Sequence, residues 1–434
     1  MGSKWKICEL GEFIELKRGY DLPKNSRIKG TVPIISSSGL TDYHNEAMVK
    51  GPGVITGRYG TIGEVFYIED DFWPLNTTLY VIDFKGNEPL FVYYLLHTLS
   101  YSDYTDKAAV PGINRNHLHK AKIRVPVHPD TQKKIATQLY KLETRINLNN
   151  KLNQTLEQMS QTIFKSWFVD FDPVIDNALD AGKPIPEALQ SRAELRQKVR
   201  NSTDFKPLPA EIRSLFPNEF EETELGWVPK GWESETFDSF CDLIQSGGTP
   251  SRKETSFWDG GTIKWLSSGE VKGKIVLDTK EKITDIGLLN SSSKLWEKYT
   301  TVVAMYGATA GEVCIIGDKM AANQACCGLY SKKFPFFVYN FVCNKANELA
   351  SKATGSAQQN LNKLIISTTK FICPSNDIIT IFENNVTPLF MKWFSHSSEN
   401  NTLTALRDTL LPKLISGELS LEDLPDLTTD TEAA

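Results

Sequence analysis

Arg58-Tyr59-Gly60-Thr61-Ile62-Gly63-Glu64-Val65 and Met305-Tyr306-Gly307-Ala308-Thr309-Ala310-Gly311-Glu312-Val313 are two versions of one segment in the same 434-residue chain. The likeness extends upstream of both. Val32-Pro33-Ile34-Ile35-Ser36-Ser37 parallels Ile263-Lys264-Trp265-Leu266-Ser267-Ser268, and the glycine patch Lys17-Arg18-Gly19 parallels Ser246-Gly247-Gly248-Thr249-Pro250. Earlier still, Trp5 followed by Leu10, Phe13 and Leu16 matches Trp232 followed by Phe237, Phe240 and Leu243. Downstream, Asn76 matches Asn323, and Pro111-Gly112-Ile113-Asn114-Arg115-Asn116 matches Gly355-Ser356-Ala357-Gln358-Gln359-Asn360. Both copies then run as extended chain into a proline, Pro126 and Pro374. Matches in this order, at a nearly constant offset of roughly 245 residues, make the chain a tandem repeat.

Within each copy, short β-rich runs such as Val65-Phe66-Tyr67-Ile68 and Val313-Cys314-Ile315-Ile316 alternate with Gly, Pro, Asn and Ser. One helix candidate interrupts each copy, at 90–98 and about 336–346, so the expected module is α+β. After each module the period becomes helical. Ile135, Leu139, Leu142 and Ile146 continue into Leu152, Leu156, Met159, Ile163 and Trp167. The second stripe is Phe382, Val386, Leu389 and Trp393, then Leu403, Leu406, Leu410 and Leu414. If unbroken from 131 to 169, the first helix spans roughly 58 Å. Two long amphipathic helices bury their stripes most simply against each other, as an antiparallel coiled-coil-like spacer with an approximate internal two-fold. The alternative is that each packs on its own module.

Polar pauses at Asn147, Asn149, Asn150 and Asn153, and at 395–401, suggest a hinge or a wider solvent-facing side. Pro388 is expected to kink the second helix or to cap a new start there. The expected divisions are a module at 1–128, a spacer helix at 129–172, an acidic Pro-rich connector at 173–231 and a second module at 232–375. A second spacer helix at 376–417 and an acidic tail at 418–434 complete the chain. In the connector only about 187–199 reads as helix.

Composition is that of a folded protein, 40% hydrophobic and 23% charged, and no run approaches the ~18 apolar residues of a membrane span. MGSKWKICEL lacks a secretory profile, and seven cysteines without a CxxC pair fit a reducing compartment. A cytoplasmic protein with no membrane association is expected. The net charge of −5 is an average over unlike parts. Residues 131–169 and 236–375 are each net +4, whereas 170–235 is net −6. Global charge therefore does not exclude DNA, whose binding depends on a local basic footprint. Nucleotide P-loop, GxGxxG, GxSxG, HExxH and zinc-deaminase patterns are missing. His117 and His119 tempt a metal reading, but no third ligand is evident and the second module lacks them. No catalytic residue and no metal site are expected, so the chain alone is read as not an enzyme.

Several strings resemble the specificity (S) subunit of type I restriction-modification systems. They are Asn153-Gln154-Thr155-Leu156-Glu157 leading into Phe164-Lys165-Ser166-Trp167-Phe168-Val169-Asp170-Phe171-Asp172-Pro173, the stretch from Leu403 to Leu419, and Leu225-Gly226-Trp227-Val228-Pro229-Lys230-Gly231-Trp232. The resemblance covers essentially the whole chain. It implies that each module is a target-recognition domain reading one half of a bipartite, asymmetric double-stranded DNA target. The helices would then fix the spacing and dock two modification (methyltransferase) subunits. Those subunits would bring S-adenosylmethionine and methylate adenine. Restriction/translocase subunits would bring ATP and Mg. This chain would itself hold no cofactor.

Base readout calls for polar and basic side chains in a groove. The DNA-binding candidates are Lys17, Arg18, Arg58, Tyr59, Asn114, Arg115 and Asn116 in the first module. In the second they are Ser251, Arg252, Lys253, Tyr306, Gln358, Gln359 and Asn360. Each has a plainer reading as a solvated side chain or local turn bonding. The repeated Tyr59-Gly60 and Tyr306-Gly307 suit scaffold better than readout. Trp167, Phe168 and Phe171, with Leu410, Leu411 and Leu414, exceed what one helix pair need bury, so subunit docking is expected of them. Two other functions compete: a specificity domain fused to its own methyltransferase or nuclease, and a tandem protein-interaction scaffold without DNA recognition.

Overall fold

In the first module the β-branched and aromatic runs form nine short strands: β1 (Trp5–Glu9), β2 (Glu15–Arg18), β3 (Val32–Ser36), β4 (Gly39–His44), β5 (Gly53–Gly57), β6 (Val65–Ile68), β7 (Trp73–Pro74), β8 (Thr78–Asp83) and β9 (Lys122–Pro126). Helices α1 (Leu10–Phe13), α2 (Pro89–His97) and α3 (Arg115–Leu118) interrupt them, and α4 (Pro129–Phe168) follows. The strands pair as an antiparallel sheet β2-β8-β5-β6, a sheet β4-β3-β7 and a ladder β1-β9. Helix α2 has proline in its first turn and buries Phe91 through Leu96 on every side, which is why it lies inside the core. The computed structural model describes residues 5–105, 111–351 and 361–423, and the chain divides into two units, Met1–Leu148 with Asn400–Ala434, and Asn149–Glu399.

The second unit opens with α5 (Asp172–Asp180), α6 (Gln190–Arg200) and α7 (Ala210–Arg213), then the hairpin β10 (Phe220–Thr223) and β11 (Gly226–Pro229). Its module contains β12 (Glu233–Thr236), α8 (Phe237–Phe240), β13 (Leu243–Ser246), β14 (Ile263–Leu266), β15 (Ile275–Val276), β16 (Glu281–Ile283), α9 (Asp285–Leu289), β17 (Thr301–Ala304), β18 (Val313–Ile316), β19 (Ala321–Ala322) and β20 (Cys326–Tyr330). Helices α10 (Pro335–Ser351) and α11 (Lys363–Ser367), strand β21 (Lys370–Cys373) and helix α12 (Asn376–Ser416) follow. The sheets are β13-β20-β17-β18-β15, β16-β14-β19 and β12-β21. The topology of the first module is repeated, with β15 added in parallel to β18. The expected α+β class and tandem modules are therefore present.

Each long helix caps a helix of the module before it. Buried Gln132 of α4 accepts at Oε1 from Glu88 N (2.9 Å), at the start of α2. The carboxylate of buried Glu383, on α12, accepts from Phe336 N (3.0 Å) and Phe337 N (2.9 Å) in the first turn of α10. Burial raises the Glu383 carboxyl to about 7, although both N–H groups act to lower it. The apolar stripes pack against both module and helix. In the first unit Ile135, Ala136, Leu139 and Leu142 share a core with Leu410, Leu414, Ile415 and module residues such as Phe91. In the second, Phe164, Trp167 and Phe168 ring Phe382 of α12, with centroids 5.1–6.1 Å away.

Four expectations change. Trp167, Phe168, Phe171, Leu410 and Leu414 are buried, and Leu411 is partly buried against the first unit's core. The apolar surplus assigned to docking is absorbed by the chain's own modules. Pro388 does not cap a new start, because α12 runs through it as one helix. Buried Val386 and Phe390 on either side hold it in the aromatic core against a proline cost of ~3 kcal/mol. The polar pause faces solvent only in part: Asn147 and Asn150 are exposed, but Asn149, Asn153 and His396 are buried, with Asn149 Nδ2 donating to Glu399 (3.0 Å), Asn153 Nδ2 to Ser397 Oγ (3.4 Å), and Asn153 Oδ1 3.2 Å from His396 Nδ1. These pairs run antiparallel. The connector is more helical than expected, because Asp172 and Asp176 of α5 take bidentate bonds from Arg192 and Arg196 of α6, and Asp180 pairs with Arg200.

Candidate nucleic-acid interface

Five segments of the first module meet at one cluster of turns: the end of β2, the end of β3, the turn after β5, the turn between β7 and β8, and the loop before α3. Main-chain bonds join them, Gly19 N to Thr78 O (3.1 Å), Tyr20 N to Pro74 O (2.8 Å), Arg58 N to Thr77 O (2.8 Å), Leu75 N to Ile35 O (2.8 Å) and Ile113 N to Arg58 O (3.0 Å). A Cβ on Gly19 would lie 2.2 Å from Leu75 O, so the close approach requires glycine. In the second module the same lattice recurs: Gly247 N to Cys326 O (2.9 Å), Gly248 N to Ala322 O (2.8 Å), Met305 N to Ala325 O (2.7 Å), Asn323 N to Leu266 O (2.9 Å) and Leu361 N to Met305 O (2.8 Å). A Cβ on Gly247 would lie 2.2 Å from Asn323 O. The lattice corrects two matches. Ile113 corresponds to Leu361, so Asn114, the cap of α3, pairs with Asn362, the cap of α11, and not with Gln358. The other match moves by one residue. Leu75 corresponds to Asn323, and Asn76 to Gln324.

Most of the first module's candidates lie in this cluster. Arg58 stacks over Tyr59 at 4.6 Å and its Nε donates to Ile113 O (3.4 Å). Tyr59 itself packs on Gly112, where a Cβ would sit 2.2 Å from the ring. Lys17 lies over Tyr20 at 5.5 Å, and exposed Arg18 pairs with Asp21 at 3.2 Å. Arg115 reaches Leu16 O at 3.5 Å, while Asn114 caps α3 by accepting from Asn116 N (3.0 Å). His119 accepts from Leu16 N (3.0 Å); burial first, then Arg115 and Lys85, hold its imidazole below the ordinary range. That bond gives His119 a structural task.

In the second module Tyr306 is exposed at the lattice. Gln358, Gln359 and Asn360 fall outside the described residues. Ser251, Arg252 and Lys253 follow the turn. Trp258 Nε1 donates to Ser251 O (3.1 Å), and the Arg252 guanidinium stacks on Trp258 at 3.7 Å. Its fork also grips Glu281, with Nη2 to Oε2 at 2.8 Å, and this holds the Glu281 carboxyl below its ordinary range. Arg252 is therefore shared between Trp258 and Glu281, with its side chain 52% exposed.

The candidate set omitted two cross-turn pairs. Asn76 Nδ2 donates to Asp21 Oδ1 in the first module, and Thr249 Oγ1 donates to Gln324 Oε1 at the equivalent place in the second. The repeat pattern contained the signal, but aligning Asn76 with Asn323 hid it.

The domain model of the type I restriction modification DNA specificity domain matches residues 2–158 and 229–383, one copy per module. The chain belongs to the type I restriction-modification specificity subunits. It is 30% identical to the type I restriction enzyme HindI specificity subunit of Haemophilus influenzae, over 96% of this chain and all of that one. It is 23% identical to the MjaIX specificity subunit of Methanocaldococcus jannaschii, over 96% and 94% of the two chains. Its fold resembles the crystal structure of the S subunit from M. genitalium, with a TM-score of 0.60, 15% identity and coverage of 95% and 96%. Membership implies sequence recognition of DNA. Among the described residues of this specificity subunit, no helix is long and apolar enough to cross a membrane.

Proposed function

We propose that the two turn clusters of this specificity subunit each read one half of a bipartite, asymmetric DNA target. One observation carries the reading: a shared main-chain lattice presents different side chains in the two modules, Lys17 and Arg18 in one and Gln245 and Ser246 in the other, none of them buried. A common scaffold with divergent accessible groups suits two half-sites of unlike sequence. On this reading helices α4 and α12 set the half-site separation. Leu152 and Met159 of α4, 40% and 47% exposed and seven residues apart, offer an apolar stripe to modification subunits. Methyl transfer to adenine from S-adenosylmethionine belongs to those subunits, and ATP-driven steps to restriction subunits. This chain supplies specificity without catalysis.

The test is a single-molecule methylome of the host with the gene intact and deleted. Loss of N6-methyladenine at one split, asymmetric motif is expected on deletion. An unchanged methylome, together with salt-independent behaviour of the assembled complex towards duplex DNA, would favour a protein-interaction scaffold instead.

A further inference from the structure

We propose that Asn76 and Gln324 are the base-reading amides of the two modules, each recognising the major-groove edge of an adenine, with Asp21 and Thr249 as the residues that position them. This rests on the proposed reading of half-sites by the turn clusters. Both amides occupy one place in the lattice, the residue after Leu75 or Asn323, whose N–H groups bond Ile35 O and Leu266 O. Both partners lie two residues beyond the glycine that the close approach requires, Gly19 or Gly247. The pairing therefore recurs across a repeat in which the neighbouring side chains differ. Side chains serving only to close the turn would be redundant, since the main-chain bonds already close it.

The hydrogen-bond inventory fits adenine. Its N6–H group donates and its N7 accepts, so a side-chain amide meets both at once. Asn76 spends one Nδ2 hydrogen on Asp21, which leaves the second hydrogen for N7 and Oδ1 for N6–H. Because the carboxylate can only accept, it also fixes which way the amide faces. Gln324 takes the Thr249 hydroxyl on one lone pair of Oε1, leaving the other lone pair and both Nε2 hydrogens. Guanine would set O6 against the amide oxygen, and its edge would leave that oxygen unpaired. Asp21 also holds Arg18, so the first module has a cation beside its amide where the second has Ser246. That difference favours unlike neighbouring contacts in the two half-sites.

The experiment uses the full chain assembled with its methyltransferase subunits, acting on a duplex library randomised in both half-sites and read by sequencing of methylated molecules. N76A should lower the preference for adenine about 5- to 150-fold at one position of one half-site and leave the other half-site untouched. Q324A should do the mirror image. D21A should weaken discrimination at the same position as N76A and add nothing to it in the double variant. The isosteric Q324E, which keeps an acceptor for the Thr249 hydroxyl, should move the preference at its position toward cytosine, whose N4–H group donates. Unaltered base preference in N76A and Q324A, or a uniform loss over all sequences, overturns the proposal while half-site reading stands. A wild-type complex with no half-site preference overturns both.

Discussion

At the scale of single residues, buried Glu383 ties α12 to the first turn of α10 through a carboxyl that burial raises to about 7. In the unfolded chain the same group ionises near its ordinary value of 4.5. The folded state thus holds the proton over the window from about 4.5 to about 7. This group's contribution to stability is fully present below 4.5 and is lost as pH rises through 7. The whole swing is up to about 3 kcal/mol. E383Q cannot ionise, so its denaturation midpoint measured across that window should lack the decline the wild-type chain shows. Parallel pH profiles of the two proteins would rule this out. The equivalent cap in the first module uses the neutral amide of Gln132 and introduces no such dependence.

At the scale of elements, the long helices were legible because period and length combine: the stripe from Ile135 to Trp167 admits no strand, and α4 follows it to within two turns. The polar pause was legible as a break but not as a contact, since its partners lie about 240 residues away. Helix α5 was hidden by its own charge. Asp172, Asp176 and Asp180 look like a solvated acidic run until Arg192, Arg196 and Arg200 face them. The candidate site was legible in its turns, which glycine and the repeat mark, and not in its side chains, because a one-residue shift changes which ones meet. The buried layer at Asn153 and His396 carries an asymmetric prediction. N153L removes the amide facing His396 and should cost about 1–3 kcal/mol, and N153L/H396L should cost less than the sum of N153L and H396L, because both single changes break the same contact. Urea denaturation of the three variants measures this. Strictly additive losses would show that the layer acts other than through this pairing.

At the scale of the whole molecule, the first unit is discontinuous in sequence. Its core takes Leu410, Leu414 and Ile415 from the far end of the chain, Arg124 donates to Ser416 O (2.7 Å), and Trp5 packs where a Cβ on Gly417 would lie 2.5 Å away. A truncation after Glu399 should therefore destabilise the amino-terminal module, although the deleted residues follow the other one. Limited proteolysis should show 1–148 becoming sensitive while 149–399 stays resistant. The reverse pattern would contradict the assignment of 400–416 to the first unit.

The same discontinuity reverses the order of completion as the chain leaves the ribosome. Residues 149–399 form an uninterrupted unit and can close as soon as they emerge, whereas the module synthesised first waits with part of its apolar face uncovered. That face is masked only when Leu410, Leu414 and Ile415 arrive, so the amino-terminal half of the nascent chain is the half whose apolar surface stays open longest.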